Sequence, residues 1–210
     1  MLPCFRKERK HMIEEMVTKL VSCMEKEEFI KKEEREFYVY AFIVLLERIL
    51  VIGTLFVIGL ARRQLPETII FLFFFFALRK RTGGYHARQF WQCYVLSVLV
   101  YLISMKEIFF LAEHMRFFYG MLMVSLIVIE AIGTVNHPNM DMNAGELKES
   151  KKLARIIAII ETFVIIWMSA LHIDKIYTAC MGCAVIVCAI SLGVSKIIGQ
   201  EVEREDAETS

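Results

Sequence analysis

An all-α membrane fold that crosses the bilayer several times is predicted by three features of the sequence. Of 210 residues, 57% are hydrophobic, above the roughly 45–50% of ordinary soluble domains. These residues gather in about six runs separated by charged segments. Lysine and arginine concentrate in alternate gaps between the runs, the bias that orients membrane helices. The expected architecture is a polytopic bundle of about six hydrophobic segments, two of them short, preceded by an amphipathic interfacial helix. Three regions follow: an N-terminal amphipathic region over residues 1–36, a transmembrane domain over 37–198, and an acidic, disordered tail over 199–210.

The opening region is strongly charged, yet Ile13, Met16, Val17, Leu20 and Met24 recur at three- and four-residue spacing, which draws one apolar stripe on a helix. Such a helix lies on a membrane surface or packs on the spans. The run 37–60 is long enough to cross a hydrocarbon core of about 30 Å. It carries Glu47 and Arg48 at mid-depth, where charges face a bundle interior or pair with another helix. The runs 65–78 and 90–103 hold 14 residues each, roughly 21 Å of helix. Each must either recruit part of the basic segment between them or enter the bilayer part way. Runs 115–135 and 153–171 contain Glu130 and Glu161, and run 176–198 closes the hydrophobic part. The longest internal polar loop, 136–152, carries Asn, Pro, Asp and Gly turn signals.

With the first residues in the cytoplasm, residues 1–36, 79–88, 148–155 and the pair Lys196 and Arg204 collect 19 of the 25 basic residues. The expected location is therefore a multi-pass cell-membrane protein, with its N-terminus and the segment 79–93 on the cytoplasmic side. A net charge of +1 provides no broad basic surface, so no nucleic-acid partner is expected. The six cysteines follow a polar N-terminus without a secretory h-region, and they do not read as a disulfide framework. Cys180 and Cys183 form a C-x-x-C pair inside an apolar run with no second ligand pair, so they read as helix packing, like Cys188. No metal site and no cofactor are expected, because the zinc, serine-hydrolase and nucleotide motifs are missing from the sequence.

One polar stretch stands out between two apolar runs: Arg79-Lys80-Arg81-Thr82-Gly83-Gly84-Tyr85-His86-Ala87-Arg88, then Cys93 and Ser97. A thiolate attacks carbonyl carbon, and a nearby imidazole or guanidinium promotes its formation. In one continuous helix His86 and Cys93 would stand about 10 Å apart along the axis. A dyad therefore requires His86 to fold back before the helix, and Gly83 and Gly84 supply the hinge.

Gly83-Gly84-Tyr85-His86-Ala87 followed by Cys93 and Ser97 resembles the signature of the accessory gene regulator B (AgrB) family, membrane peptidases of Gram-positive quorum sensing. Asn136-His137-Pro138-Asn139, running into Glu146, Lys148, Lys151 and Lys152, is similar to that family's second loop. The resemblance implies a cysteine endopeptidase that removes the C-terminal tail of an AgrD-like propeptide through a Cys93 thioester, allowing a thiolactone ring to close. It implies His86 and Cys93 as the catalytic pair. Arg79, Lys80, Arg81 and Arg88 would hold acidic groups of the substrate or stabilise thiolate, as well as anchor the topology; Lys148, Lys151 and Lys152 would dock substrate, and Ser97 either packs or assists the oxyanion. The expected partners are the propeptide, the lipid bilayer and, as an open alternative, a second copy of the chain. A rival reading is a small transporter or peptide exporter with Glu47, Glu130 and Glu161 along a polar path.

Overall fold

The computed structural model describes residues 15–27, 29–84, 90–136 and 142–199, and all its regular structure is helical. Helix α1 covers residues 15–26, and a 3-10 turn over Lys32–Glu34 leads into α2 (Arg35–Ala61). There follow α3 (Leu65–Thr82), α4 (Phe90–Glu113), α5 (Met115–Ile132), α6 (Ala144–Ala170) and α7 (Lys175–Ile198). Among the described residues, five helices, α2 and α4 to α7, are long and apolar enough to cross a membrane. The chain is thus an all-helical polytopic membrane protein. It divides into two compact units, Met1–Thr54 and Leu55–Ser210, with the boundary inside α2.

In the first unit, Val17, Val21 and Ile30 form a small buried cluster against Met24, Tyr38, Val39, Phe42 and Ile43. The packed face of α1 therefore runs through Val17, Val21 and Met24, and Met16 and Leu20 point outward. The sequence stripe was broader than the face the fold uses, because α2 accepts only a narrow row of side chains. Ile13 lies outside the described residues.

In the second unit, α7 is the central helix and packs against α3, α4, α5 and α6. Thirteen of its residues are buried, many of them small, including Ala179, Cys180, Gly182, Cys183, Ala184, Cys188 and Ala189. Small side chains let neighbouring backbones approach closely in a membrane, where dispersion rather than water exclusion drives helix association. At Gly182 an added Cβ would overlap the Phe118 ring from α5, so the glycine forms the socket for that aromatic. The Cys180, Cys183 and Cys188 side chains are all buried in this core.

Helices α3 and α7 run parallel. The Cys188 thiol donates to the Phe75 carbonyl at 3.6 Å, and the Arg79 Nη1 donates to Ser191 Oγ at 2.7 Å, so contacts repeat at an offset of 113 and 112 residues. At the opposite end of α3, the Tyr101 hydroxyl and Thr68 Oγ1 share a 2.6 Å hydrogen bond, and Thr68 also bonds the Gln64 carbonyl.

Only one of the two short runs remains short. Helix α3 reaches 18 residues by absorbing Arg79, Lys80, Arg81 and Thr82. Helix α4 extends through Lys106 and Glu107 to a length of 24 residues. Those two charges are exposed, and Ile108, Leu111 and Ala112 resume the buried face. A pair of solvated charges does not end a helix whose hydrogen-bond ladder and apolar face continue beyond them.

Candidate active site

The site is built at the C-terminal end of α3. Gly83 caps this helix with φ 65°, and Gly84 follows at φ 109°, both in the left-handed half of backbone space that glycine tolerates. Gly84 has a second, steric reason to lack a side chain. An added Cβ would overlap Arg79 Nη1 and stand 2.9 Å from Ser191 Oγ. The glycine thus leaves room for the guanidinium to reach α7.

Arg79 is consequently turned into the bundle and half-buried. Besides its hydrogen bond to Ser191, it lies within electrostatic range of the Cys93 and Cys188 thiols. Cys93 sits half-buried on α4, three residues past Phe90. Trp91 and Tyr94 stack at 5.6 Å beside it, an aromatic pair of the kind that settles at membrane interfaces. Ser97 is half-buried one turn further along α4. Cys93 thus lies within electrostatic range of Arg79, while His86, with Tyr85, Ala87, Arg88 and Gln89, lies outside the described residues.

The last carbonyls of α3 would be unsatisfied without partners. Three groups distant in sequence close them. Thr134 Oγ1 donates to the Arg81 carbonyl at 2.8 Å, Ser150 Oγ donates to the same oxygen at 3.1 Å, and the Val135 N–H donates to the Thr82 carbonyl at 3.2 Å. The segment after α5 and the second turn of α6 are thereby pinned to the end of α3.

The loop motif contributes to this clamp. Buried Asn136 bonds Met142 in both directions: its Nδ2 donates to the Met142 carbonyl at 3.0 Å, and its Oδ1 accepts from the Met142 N–H at 3.2 Å. It closes the loop like a rung, and His137, Pro138 and Asn139 between its ends lie outside the described residues. Asn143 and Glu146 then form a capping box that starts α6.

Between the end of α3 and the start of α6 lies an open cleft of about 340 Å³, lined by Lys80, Arg81, Met142, Glu146, Glu149 and Ser150. Lys148, Lys151 and Lys152 flank it on α6, where they line a second, larger open groove with Arg155. The cations named from sequence thus divide by position. Arg79 turns inward to Ser191 on α7, whereas Lys80 and Arg81 line the cleft.

Ser191, Thr134 and Ser150 were not anticipated. Each is an isolated small polar residue in or beside an apolar run, and its role depends on a contact 53 to 112 residues away. Among the described residues, no group of His, Cys, Asp and Glu is arranged to hold a metal ion.

A family model, Accessory gene regulator B, matches residues 17–192. The chain belongs to the accessory gene regulator B family. Membership places it in quorum-sensing signal biosynthesis, among membrane protease-like proteins associated with AgrD processing. The matched span contains α3, the Gly83 and Gly84 break, Cys93, the Asn136 loop and the α7 serine that receives Arg79. No curated protein and no solved structure matches the chain.

Proposed function

We propose that the protein is a cysteine endopeptidase that cuts an AgrD-like propeptide, with Cys93 as nucleophile and His86 as base. The observation that carries this reading is Arg79, turned inward onto Ser191 with its place kept open by Gly84, within electrostatic range of the Cys93 thiol. Family membership supports the same substrate class.

In the proposed reaction the His86 imidazole removes the Cys93 Sγ–H proton, and the thiolate adds to the carbonyl carbon of the scissile peptide bond. The tetrahedral oxyanion collapses with loss of the amine, which takes the proton from imidazolium, and leaves a thioester on Cys93. A thiol within the bound N-terminal fragment then adds to that thioester. Its proton passes through His86 to Cys93, and the cyclic thiolactone departs. Bonds of the same type form and break in this second exchange, so the site needs to exclude water more than to supply energy. Arg79 stabilises the thiolate and the oxyanion, and Ser191 fixes its guanidinium. Lys80 and Arg81 hold acidic groups of the departing segment.

The test is cleavage of an AgrD-like peptide by protein reconstituted in vesicles. Cys93→Ala and His86→Ala should each abolish release of the C-terminal segment while helical content and insertion stay unchanged. Cys180→Ala, Cys183→Ala and Cys188→Ala should retain cleavage. Near wild-type cleavage by Cys93→Ala would end the proposal.

A further inference from the structure

The parallel packing of α3 and α7 determines where the chain goes after its last helix. Ser191 stands level with Arg79, so residues 192–198 continue past that point toward the end of α3. Gly199 therefore emerges at the same end of the bundle as Lys80 and Arg81. The start of α6 lies there too, because Ser150 is bonded to the Arg81 carbonyl.

Residues 200–210 follow, with Glu201, Glu203, Glu205, Asp206 and Glu208 against one base, Arg204. Extended, eleven residues reach roughly 36 Å. The cleft at the end of α3 lies well within that distance.

The cleft and its flanking groove together carry complementary charge. Lys80, Arg81, Lys148, Lys151 and Lys152 make no ion pair among the described residues. The acids facing the same space are Glu146 and Glu149, and one Glu146 oxygen already accepts the Asn143 N–H at 2.9 Å. The lining of the cleft itself carries two cations and two acids, so the cationic surplus comes from Lys148, Lys151 and Lys152 on the flanking groove, and an acid-rich segment of the chain follows the end of α7 on the same side of the bundle.

We propose that the acidic segment 201–208 docks on the cleft of Lys80 and Arg81 and competes there with an acidic peptide. The competition rests on the peptidase reading above, whereas the docking does not. A tethered segment is present at high effective concentration, so even weak ion pairs compete with a free ligand. Only a substrate that also engages other parts of the protein displaces it. The tail then acts as a filter against acidic peptides that lack such additional contacts.

The experiment uses the full chain in phosphatidylcholine vesicles, with Ala207 replaced by the photo-reactive p-benzoylphenylalanine. Irradiation should give cross-links within one chain to residues 80–81 or 146–152. Their yield should fall several-fold, about fivefold, when salt screens exposed charges. It should fall equally when Lys80 and Arg81 are both changed to Gln. Cross-links to lipid alone, links that ignore salt and the Lys80→Gln/Arg81→Gln change, or links between light and heavy isotopic copies would each overturn the docking.

A second arm measures cleavage of an acidic peptide after Glu201, Glu203, Glu205 and Glu208 are changed to Gln and Asp206 to Asn. KM should fall about threefold with kcat unchanged, as expected when a ground-state competitor is removed. An unchanged KM alongside intact cross-links would overturn the competition and leave the docking in place. Absence of any cleavage by the wild type would count against the peptidase reading, and the cross-links would still decide the docking.

Discussion

Replacing single cations separates two roles that sequence alone merges. Arg79 is held inward by Ser191, within electrostatic range of Cys93, whereas Lys80 and Arg81 line an open cleft. Arg79→Ala should therefore lower kcat by about 10²-fold, the scale of losing one preorganised group at a developing oxyanion. Lys80→Gln with Arg81→Gln should instead raise KM and leave kcat nearly unchanged. Steady-state kinetics on reconstituted protein separates these outcomes, and equal KM effects from both variants would refute the division. Glu161 provides a second test at this scale. It is 6% exposed, and neither of its carboxylate oxygens has a hydrogen-bond partner among the described residues. An unpartnered buried carboxyl is costly, so Glu161→Leu should stabilise the fold by about 1–3 kcal/mol in chemical denaturation while cleavage persists. Loss of activity with a stable fold would favour the transport reading. The glycine break after α3 was legible because a polar, glycine-broken segment between apolar runs needs a reason to be there. The direction of Arg79 was not legible, because Ser191 lies 112 residues away and carries no local signal.

The elements place the site through the end of α3. Gly84→Ala should push the guanidinium off Ser191, since the new methyl group would overlap Arg79 Nη1. The left-handed backbone adds a cost of about 1–3 kcal/mol. The folded fraction of Gly84→Ala should then show the kcat loss of Arg79→Ala, measured on protein purified by size exclusion. Wild-type kcat in that fraction would show that Arg79 does not depend on the glycine. Helix spans were legible from apolar runs and turn residues, and the first span of 37–60 agrees with α2 to within two residues. The length of α4 was not, because Lys106 and Glu107 look like a terminus in sequence yet sit exposed on a continuing helix. The clamp by Thr134, Val135 and Ser150 was also hidden, since capping of one helix by residues after another leaves no periodic trace.

At the scale of the whole molecule, composition announces a membrane bundle but does not say which helix is central. Every run is apolar, so hydropathy ranks them nearly alike. The small residues of α7 are the one hint, and the fold uses them to gather α3, α4, α5 and α6 around a single axis. That arrangement sets Ser191 against Arg79, and with it the electrostatics proposed for Cys93. The central claim is that this arrangement serves covalent catalysis at Cys93. The most direct measurement is intact mass spectrometry of the reconstituted protein quenched in acid during turnover of an AgrD-like peptide whose internal cysteine is changed to alanine. With ring closure blocked, the acyl-enzyme should accumulate. The predicted result is an adduct equal in mass to the N-terminal fragment, mapped to Cys93, released by neutral hydroxylamine and missing from Cys93→Ala. Cleavage that proceeds without any adduct, or an adduct on another cysteine, would contradict the account.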